Sequence, residues 1–331
     1  MRRSRRPILI ASRRSRLARA QAELVGRALR RLHGGLELRY VWVESEGDRR
    51  PDAMLADLAG GGKGLFVRAV EEALLAGRAD IAVHSLKDMP AEVTPGLAIA
   101  ATPVREDVRD ALVGGVDVRG LADLAAGAVV GTSGPRRAAQ VRRLRPDLVV
   151  KPIRGNIDTR LGKVSETGTA ASPNAVHYDA TLLAMAGLRR AGLGLERALP
   201  LAVEEFLPAA GQGALAVQCR ADDHVSLTRC LPLNDPITAA AVHAERAIVA
   251  GLAGDCHSPI AAYAVATGPD HFRLRARVLS PDGRACLDAD CDATARTLAK
   301  VARAMVKDLQ SRGADTVMRS SAITGSVPTT V

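Results

Sequence analysis

The sequence predicts an α/β protein of two hinged lobes followed by a small α+β domain at the C-terminus. Short apolar runs alternate with amphipathic helical patterns in the first third of the chain, as in βαβ units built around a mostly parallel sheet. The pattern restarts after Arg109, which predicts a second α/β lobe. From Asp235 a helical pattern is followed by short strand patterns with turn signals between them, which predicts a smaller domain.

The predicted elements of the two lobes follow from these patterns. For the first lobe they are strands at residues 8–11, 38–43 and 81–83 and helices at residues 15–32 and 65–75. For the second lobe they are strands at residues 128–131, 149–153 and 181–184 and a helix that begins near Arg136. Residues 214–219 form a further strand pattern after Gly211 and Gly213, and this strand would return the chain to the first lobe. Two crossings between the lobes would then act as a hinge.

In the third region, Asp235 and Pro236 form an N-cap and first-turn pair that predicts a helix to about Ala250. Strands are predicted at residues 260–266, 273–279 and 284–288, and a last helix at residues 293–309. The predicted domains are therefore residues 1–105 with 212–231, residues 106–211, and residues 232–331.

The composition favours a small anionic ligand over a nucleic acid. The formal net charge is +10, but only 2% of the residues are aromatic, and the basic residues are spread along the chain. Proteins that stack nucleic-acid bases depend on aromatic side chains. Arginine grips carboxylates bidentately, so a ligand with several carboxylates fits this composition better.

We expect a cytoplasmic protein with no membrane partner. The apolar run at residues 7–11 is too short for a signal peptide, and no run is long enough to span a bilayer. The five cysteines are odd in number and contain no CxxC pair, so they predict neither a disulfide framework nor a metal site.

Four polar clusters follow predicted strands. They lie at residues 12–16, 84–88, 131–137 and 154–160. Ligands of open α/β sheets bind outside the carboxyl ends of strands, and helix starts favour anions. One such cluster is more often a solvated helix start, but four at equivalent positions predict a cleft lined for anions.

Two residues stand apart from this cationic pattern. Asp88 is an acid beside Lys87, and it is either a surface carboxylate paired with that lysine or an ionised group that stabilises a cationic intermediate. Cys256 lies in a polar loop beside His257, and it is either a small core residue or a reactive thiol. Sequence spacing leaves both alternatives open.

Phrases along most of the chain resemble the porphobilinogen deaminase family. The match runs in order from about residue 8 to residue 318, and the phrase from His84 to Pro90 is close to diagnostic. The phrases are Ile10-Ala11-Ser12-Arg13, Gly62-Lys63-Gly64-Leu65-Phe66-Val67, Asp80-Ile81-Ala82-Val83-His84-Ser85-Leu86-Lys87-Asp88-Met89-Pro90, Arg105-Glu106-Asp107, Val130-Gly131-Thr132-Ser133, Arg154-Gly155-Asn156, Gly211-Gln212-Gly213 and Ala244-Glu245-Arg246.

The resemblance implies two lobes similar to periplasmic binding proteins and a third domain that carries a dipyrromethane cofactor through a cysteine thioether. It also implies that four porphobilinogen molecules condense on this cofactor, with loss of ammonia and release of hydroxymethylbilane. We expect the enzyme to be a monomer. Asp88 matches the catalytic acid and Cys256 the attachment cysteine. Cofactor-binding positions are matched by Lys87, Thr132, Ser133, Arg136, Arg137 and Arg154. Substrate-binding positions are matched by Arg13, Ser15, Lys63, Phe66, Arg160 and Gln212.

The sequence departs from the family pattern in the loop around Cys256, at Gly134-Pro135, in a longer segment at residues 165–177 and in a basic N-terminus. A non-catalytic anion-binding protein of the same two-lobed fold is the main alternative, because a fold does not determine function. Such a protein has no need of a third domain bearing a cysteine. A nucleic-acid-binding protein is the second alternative, and it predicts tight, salt-dependent binding of DNA or RNA.

Overall fold

The computed structural model describes residues 6–44, 67–115, 118, 120–164, 177–254 and 258–320. The predictions for Lys63, Phe66 and Cys256 therefore lie outside the described residues, as does most of the segment at residues 165–177.

The first lobe is built on a five-stranded sheet with the order β2-β1-β3-β10-β4. Its strands are β1 (Ile8–Arg13), β2 (Leu38–Val43), β3 (Ile81–Ser85), β4 (Leu97–Ala101) and β10 (Leu215–Arg220). Its helices are α1 (Arg16–Leu32), α2 (Arg68–Leu75) and α6 (His224–Cys230). Strands β1, β2 and β3 are parallel, so their carboxyl ends lie at one edge of the sheet.

Helix α1 shows why the predicted pattern folds as it does. Ala22, Val25 and Leu29 recur at helical spacing and are fully buried against the sheet. The Ser15 side chain caps the helix by accepting a hydrogen bond from the backbone N–H of Ala18 at 3.3 Å. The cap fixes the start of α1 directly after β1, at the carboxyl edge of the sheet.

The second lobe has a five-stranded sheet with the order β7-β6-β8-β5-β9. Its strands are β5 (Asp110–Gly114), β6 (Val129–Gly131), β7 (Val149–Lys151), β8 (Ala180–Ala184) and β9 (Ala198–Pro200). Its helices are α3 (Pro135–Leu144), α4 (Ile157–Gly162) and α5 (Met185–Ala191). Strand β7 is shorter than predicted, because the chain leaves the sheet after Lys151 to reach α4.

The predicted return of the chain to the first lobe is confirmed. Strand β10 lies between β3 and β4 and is antiparallel to both. The chain crosses between the lobes twice, near Glu106 and near Gly213. These two crossings touch each other, since the backbone N–H of Glu106 donates to the carbonyl of Gly213 at 3.1 Å. Gly213 has a φ of 85°, and a Cβ there would collide with the carbonyl oxygen of Glu106. Only glycine permits this close approach of the crossings.

The third region forms an antiparallel sheet of β11 (Ile260–Gly268), β12 (His271–Leu279) and β13 (Cys286–Thr294). The helices α7 (Pro236–Gly251), α8 (Leu298–Ser311) and α9 (Ala314–Arg319) complete it. The predicted cap is confirmed, since Asp235 accepts from the backbone N–H of Thr238 at 2.7 Å. The predicted last helix began too early, because Ala293 still pairs with Phe272 in the sheet and is buried there.

The three parts of the chain meet at Glu245 of α7, which is fully buried. Its carboxylate accepts from both terminal nitrogens of Arg105 on the first crossing, at 2.6 and 3.0 Å. It also accepts from the backbone N–H groups of Gly211 on the second crossing, at 2.7 Å, and of Ala264 in β11, at 2.8 Å. One side chain of the third region thus holds both crossings.

Among the described residues, no helix is long and apolar enough to cross a membrane.

Candidate active site

Polar residues of the first lobe line a small cavity at the carboxyl edge of its sheet. The cavity has a volume of about 60 Å³, and its lining includes Ser12, Arg13, Ser15, His84 and Asp88. Two of the four polar clusters predicted from sequence therefore come together here. They do so because β1 and β3 are parallel neighbours in the sheet.

Asp88 ends a single 3₁₀ turn, Leu86–Asp88, that follows β3. Leu86 is buried, and its backbone N–H donates to the carbonyl of Ala214 at 3.0 Å. The next residue, Met89, is also buried and donates back to the carbonyl of Leu86 at 3.1 Å. This anchored turn holds the exposed Asp88 carboxylate at the mouth of the cleft.

Lys87 is half-buried, and its ammonium group donates to Oε1 of Gln212 at 3.2 Å. Gln212 is fully buried and is fixed in turn, because its Nε2 donates to the carbonyl of Val108 at 2.8 Å. Burial lowers the pKa of Lys87 to about 8, and repulsion from Arg137 adds to that effect. The lysine thus faces the arginines of the opposite lobe.

In the second lobe, Arg136 and Arg137 lie in the first turn of helix α3 and converge on Asp110, which is fully buried at the start of β5. Arg136 Nη1 lies 2.8 Å from one carboxylate oxygen of Asp110. Arg137 Nε and Nη2 lie 2.8 and 2.7 Å from the other oxygen. The carbonyls of Leu207 and Leu182 accept from Arg136 Nη1 and Arg137 Nη1, at 2.7 and 2.9 Å.

Asp110 is ionised in this setting. Burial by itself would raise the pKa of its carboxyl group, but the charges of Arg136 and Arg137 outweigh burial and hold that pKa well below its usual range. Two guanidinium groups share one carboxylate, so the cluster keeps a surplus positive charge. Lys87 adds a further cation from across the cleft.

The two lobes thus act on each other electrostatically within one cleft. Arg160 lies in the last turn of α4, and its pKa is lowered to about 10 by burial and by repulsion from Arg137, with Asp88 acting in the opposite direction. Arg160 Nε donates to the carbonyl of Gly155 at 2.8 Å, which orients its guanidinium. Arg154 lies half-buried in the turn just before this helix.

The hydroxyl residues after β6 have local roles in the described structure. Ser133 donates to the carbonyl of Ile153 at 2.7 Å, and Thr132 Oγ1 accepts from the backbone N–H of Gly134 at 3.3 Å. These bonds hold the β6–α3 turn beside the turn that carries Arg154. The third and fourth predicted clusters therefore also meet at one edge.

Asp110 and His84 are functional candidates that sequence reasoning did not single out. Asp110 heads an antiparallel strand, and it reaches the cleft because the start of β5 pairs with the end of β8 at Ala184. His84 is buried, and its Nε2 has no hydrogen-bond partner among the described residues. Burial lowers the pKa of His84 to about 4, so a neutral imidazole lies beside Asp88.

The donor set fits a ligand with several carboxylates. Arg136, Arg137, Arg160 and Lys87 are held in place by protein acceptors before any ligand arrives, and their charge exceeds that of Asp110. No cluster suited to a metal ion occurs among the described residues. Fold and site therefore define a two-lobed α/β protein whose described cleft residues suit a polycarboxylate ligand and include an exposed acid, Asp88.

Comparison with known proteins gives the family. The model for the porphobilinogen deaminase dipyrromethane cofactor binding domain matches residues 8–228, and the model for the porphobilinogen deaminase C-terminal domain matches residues 239–310. Porphobilinogen deaminases of Ralstonia nicotianae and Sorangium cellulosum are 47% and 48% identical to this chain. These alignments cover 88% and 83% of this chain and 84% and 88% of the relatives.

The chain belongs to the porphobilinogen deaminase family. Enzymes of this family are transferases of tetrapyrrole synthesis that carry a dipyrromethane cofactor, and the predicted family, activity class and cofactor are confirmed.

Solved structures similar to the chain include a periplasmic substrate-binding protein of an ABC transporter from Coxiella burnetii, with a TM-score of 0.42, 14% identity and coverage of 70% of this chain and 94% of that chain. The methionine-binding protein MetQ gives a TM-score of 0.39 and 11% identity, covering 68% of this chain and 89% of that chain. The predicted fold class, two α/β lobes with a small α+β domain, is confirmed by the sheets and strand orders described above.

Proposed function

We propose that this chain condenses four porphobilinogen molecules, with loss of ammonia, and releases hydroxymethylbilane. The observation that carries the proposal is the cleft itself: Asp88 of one lobe interacts with Arg160 of the other, and Lys87 beside it interacts with the charged cluster of Arg136 and Arg137. A substrate with an acetate and a propionate group needs cations for its side chains. It also needs one anion for the positive charge that develops on its ring.

Cys256 would hold the cofactor covalently. The carboxylates of the cofactor would then be bound by Lys87, Thr132, Ser133, Arg136, Arg137 and Arg154. When bound, the dipyrromethane supplies a pyrrole carbon as nucleophile. Arg136 is the better placed of the paired arginines for direct contact, since its Nε and Nη2 have no acceptor among the described residues. Every nitrogen of Arg137 already contacts Asp110 or Leu182, so Arg137 contributes mainly charge.

Substrate binding falls to Arg13, Ser15, Arg160 and Gln212, with Lys63 and Phe66 proposed from the family match. Arg13 and Ser15 line the cavity beside Asp88, where the start of α1 favours an anion. Gln212 acts through Lys87, whose ammonium group it positions. A carboxylate held between Ser15 and Arg160 would span the two lobes and bring the substrate ring over Asp88.

Asp88 would stabilise the cation that forms when the carbon–nitrogen bond of porphobilinogen breaks and ammonia leaves. Its carboxylate accepts a hydrogen bond from the pyrrole N–H, and its negative charge is placed before the reaction, so no reorganisation is needed. The same carboxylate would lie close to the N–H of the attacked pyrrole, where its negative charge would stabilise positive charge until the displaced proton passes to solvent.

We further propose a monomeric, cytoplasmic enzyme with porphobilinogen as its small-molecule substrate and without a nucleic-acid or membrane partner. The scarcity of aromatic residues supports the part of this proposal that concerns nucleic acid.

The proposal is tested by intact mass. Protein purified from cells that make porphobilinogen should carry the added mass of a dipyrromethane, and Cys256→Ala should lack both this mass and the colour reaction of bound pyrroles. Cys286→Ala, a half-buried cysteine on β13, is the matched control and should keep the adduct. A bare polypeptide mass in the wild type would refute the covalent cofactor. An adduct retained by Cys256→Ala would show that the cofactor is attached to another residue.

A further inference from the structure

Arg19 is an exposed residue of α1 whose guanidinium is held in a fixed orientation. Its Nε donates to the carbonyl of Arg14 at 3.0 Å. Its guanidinium carbon also lies 5.0 Å from the ring centre of Trp42, within the range of a cation–π contact. Two independent contacts thus fix a side chain that would otherwise move freely.

The aromatic support of Arg19 is itself rigid. Trp42 stacks on Tyr40 with ring centres 5.3 Å apart and planes inclined by 3°. Tyr40 packs against Gly26 of α1, and a Cβ at Gly26 would collide with the tyrosine hydroxyl. Helix α1 and edge strand β2 together hold this stack.

The terminal nitrogens Nη1 and Nη2 of Arg19 have no acceptor among the described residues, whereas two nearby arginines are paired with acids. Arg27 pairs with Glu23 at 3.9 Å, and Arg39 pairs with Glu37 at 3.0 Å. A planar guanidinium whose outer edge is free and whose orientation is fixed is prepared for two parallel hydrogen bonds to a carboxylate.

The Arg19 guanidinium lies beside the turn between β1 and α1, at the carboxyl edge of the first sheet, because its Nε donates to the carbonyl of Arg14. Trp42 pairs in the sheet with Ser12, which lines the cavity beside Asp88. Arg19 follows Ser15, the N-cap of α1, by four residues, so it lies just over one helical turn, about 6 Å, further along the helix axis. A ligand that fills the cleft and extends over the start of α1 would meet Arg19 next.

We propose that Arg19, supported by Trp42 and Tyr40, is a carboxylate-binding site at the cleft rim that holds an acetate or propionate group of the pyrrole chain once that chain outgrows the cleft. The proposal rests on the proposed function, because that function produces a chain with two carboxylates on every ring. The Trp42 ring already contacts Tyr40 and Arg19. The guanidinium edge is therefore more accessible to a ligand than the face of the Trp42 ring. This favours a carboxylate, which binds that edge, over a nucleic-acid base, which would stack on the ring.

The test uses the only tryptophan of the chain as its probe. Uroporphyrinogen I, a tetrapyrrole with eight carboxylates, is titrated anaerobically into the full-length enzyme while Trp42 emission is followed. Arg19→Gln should bind this probe about fivefold to tenfold more weakly than the wild type, since an exposed bidentate pair is of modest strength. Arg19→Lys keeps the charge without the planar guanidinium, and its affinity for the probe should lie between those of the wild type and Arg19→Gln.

Arg31→Gln is the matched control, because Arg31 is exposed at the far end of the same helix, and its affinity should stay within about twofold of the wild type. Intact mass after limiting porphobilinogen gives a second readout. Arg19→Gln should take up the first unit normally and accumulate enzyme with later units.

Equal affinity in the wild type and Arg19→Gln, or equal weakening in Arg31→Gln, would overturn the proposal. The proposal would also be overturned if oligodeoxythymidine changed Trp42 emission in the wild type but not in Arg19→Gln, while Arg19→Gln added later porphobilinogen units normally. Failure of the proposed function is a separate result, since the wild type would then show no added units at all.

Discussion

Asp88 owes its position to its neighbours in the chain, Leu86 and Met89, which are buried on either side of a single 3₁₀ turn. This arrangement fixes the backbone of the acid while leaving its carboxylate in the cleft. Charge can therefore be changed at this position with little effect on the fold.

We expect Asp88→Asn to fold, to carry the cofactor and to turn over about a hundredfold to a thousandfold more slowly, because the variant keeps the shape of the side chain but loses the charge that stabilises the cation. Asp88→Glu keeps the charge, displaces it, and should retain partial activity. Glu92→Gln, an exposed acid four residues further on, is the control and should be unaffected. Turnover is measured beside intact mass, and near-normal turnover in a cofactor-loaded Asn variant would remove Asp88 from the mechanism.

At the scale of the elements, strand β5 and helix α3 are joined through Asp110 and the two arginines at the start of the helix. Removing the carboxylate would leave two guanidinium groups buried without their counter-charge. Breaking a buried pair in this way is strongly destabilising.

Asp110→Asn should lower the free energy of unfolding by about 3 to 5 kcal/mol at pH 7. The pKa of Asp110 is depressed in the folded protein, so its stabilising effect is present above the unfolded carboxyl pKa of about 3.9 and is lost as the pH falls through the lower folded value. The difference between wild type and variant should therefore be constant from pH 7 to about pH 5 and shrink below about pH 4.

Urea unfolding of the two proteins at pH 7, 5, 4 and 3 measures this difference. Glu196→Gln, in an exposed turn of the same lobe, provides the comparison for an ordinary surface acid, with an expected change within about 0.5 kcal/mol. A small and pH-independent effect of Asp110→Asn would mean that the arginines do not need their shared carboxylate.

The same elements show what the sequence can predict. The clusters that follow β1, β3, β6 and β7 were predicted to meet because residues after parallel strands share one edge of a sheet. That reasoning did not identify Asp110, because Asp110 is the first residue of its strand, and only the antiparallel pairing of β5 with β8 brings it to the edge. The start of the last helix was misplaced because the residue pattern of Ala293 suits a helix and a strand equally well, and pairing with Phe272 decides between them.

For the whole molecule, Glu245 is the point at which the third region holds both crossings between the lobes. Glu245→Gln keeps an acceptor but removes the charge opposite Arg105. We expect a loss of about 3 to 5 kcal/mol in the free energy of unfolding, because the partner is left buried without its counter-charge.

Glu204→Gln is the matched control, since Glu204 is 65% exposed and pairs with Arg275 at 3.3 Å. Its effect should not exceed about 0.5 kcal/mol. Urea unfolding measures the change in the free energy of unfolding for both variants. Equal changes would mean that the buried Glu245 pair stabilises the protein no more than an exposed ion pair.

The place of β10 in the first sheet has a consequence for the order in which the protein folds during its synthesis. This strand lies between β3 and β4, yet it is synthesised only after all the strands of the second lobe. Until then β3 and β4 have no strand to join them, and the first lobe cannot complete its sheet. The second lobe is continuous in the chain, so it can fold first and bring residues 215–220 back to the incomplete sheet of the first lobe. The N-terminal lobe, although made first, is therefore completed after the lobe that follows it, which reverses the usual order in proteins whose domains follow one another along the chain.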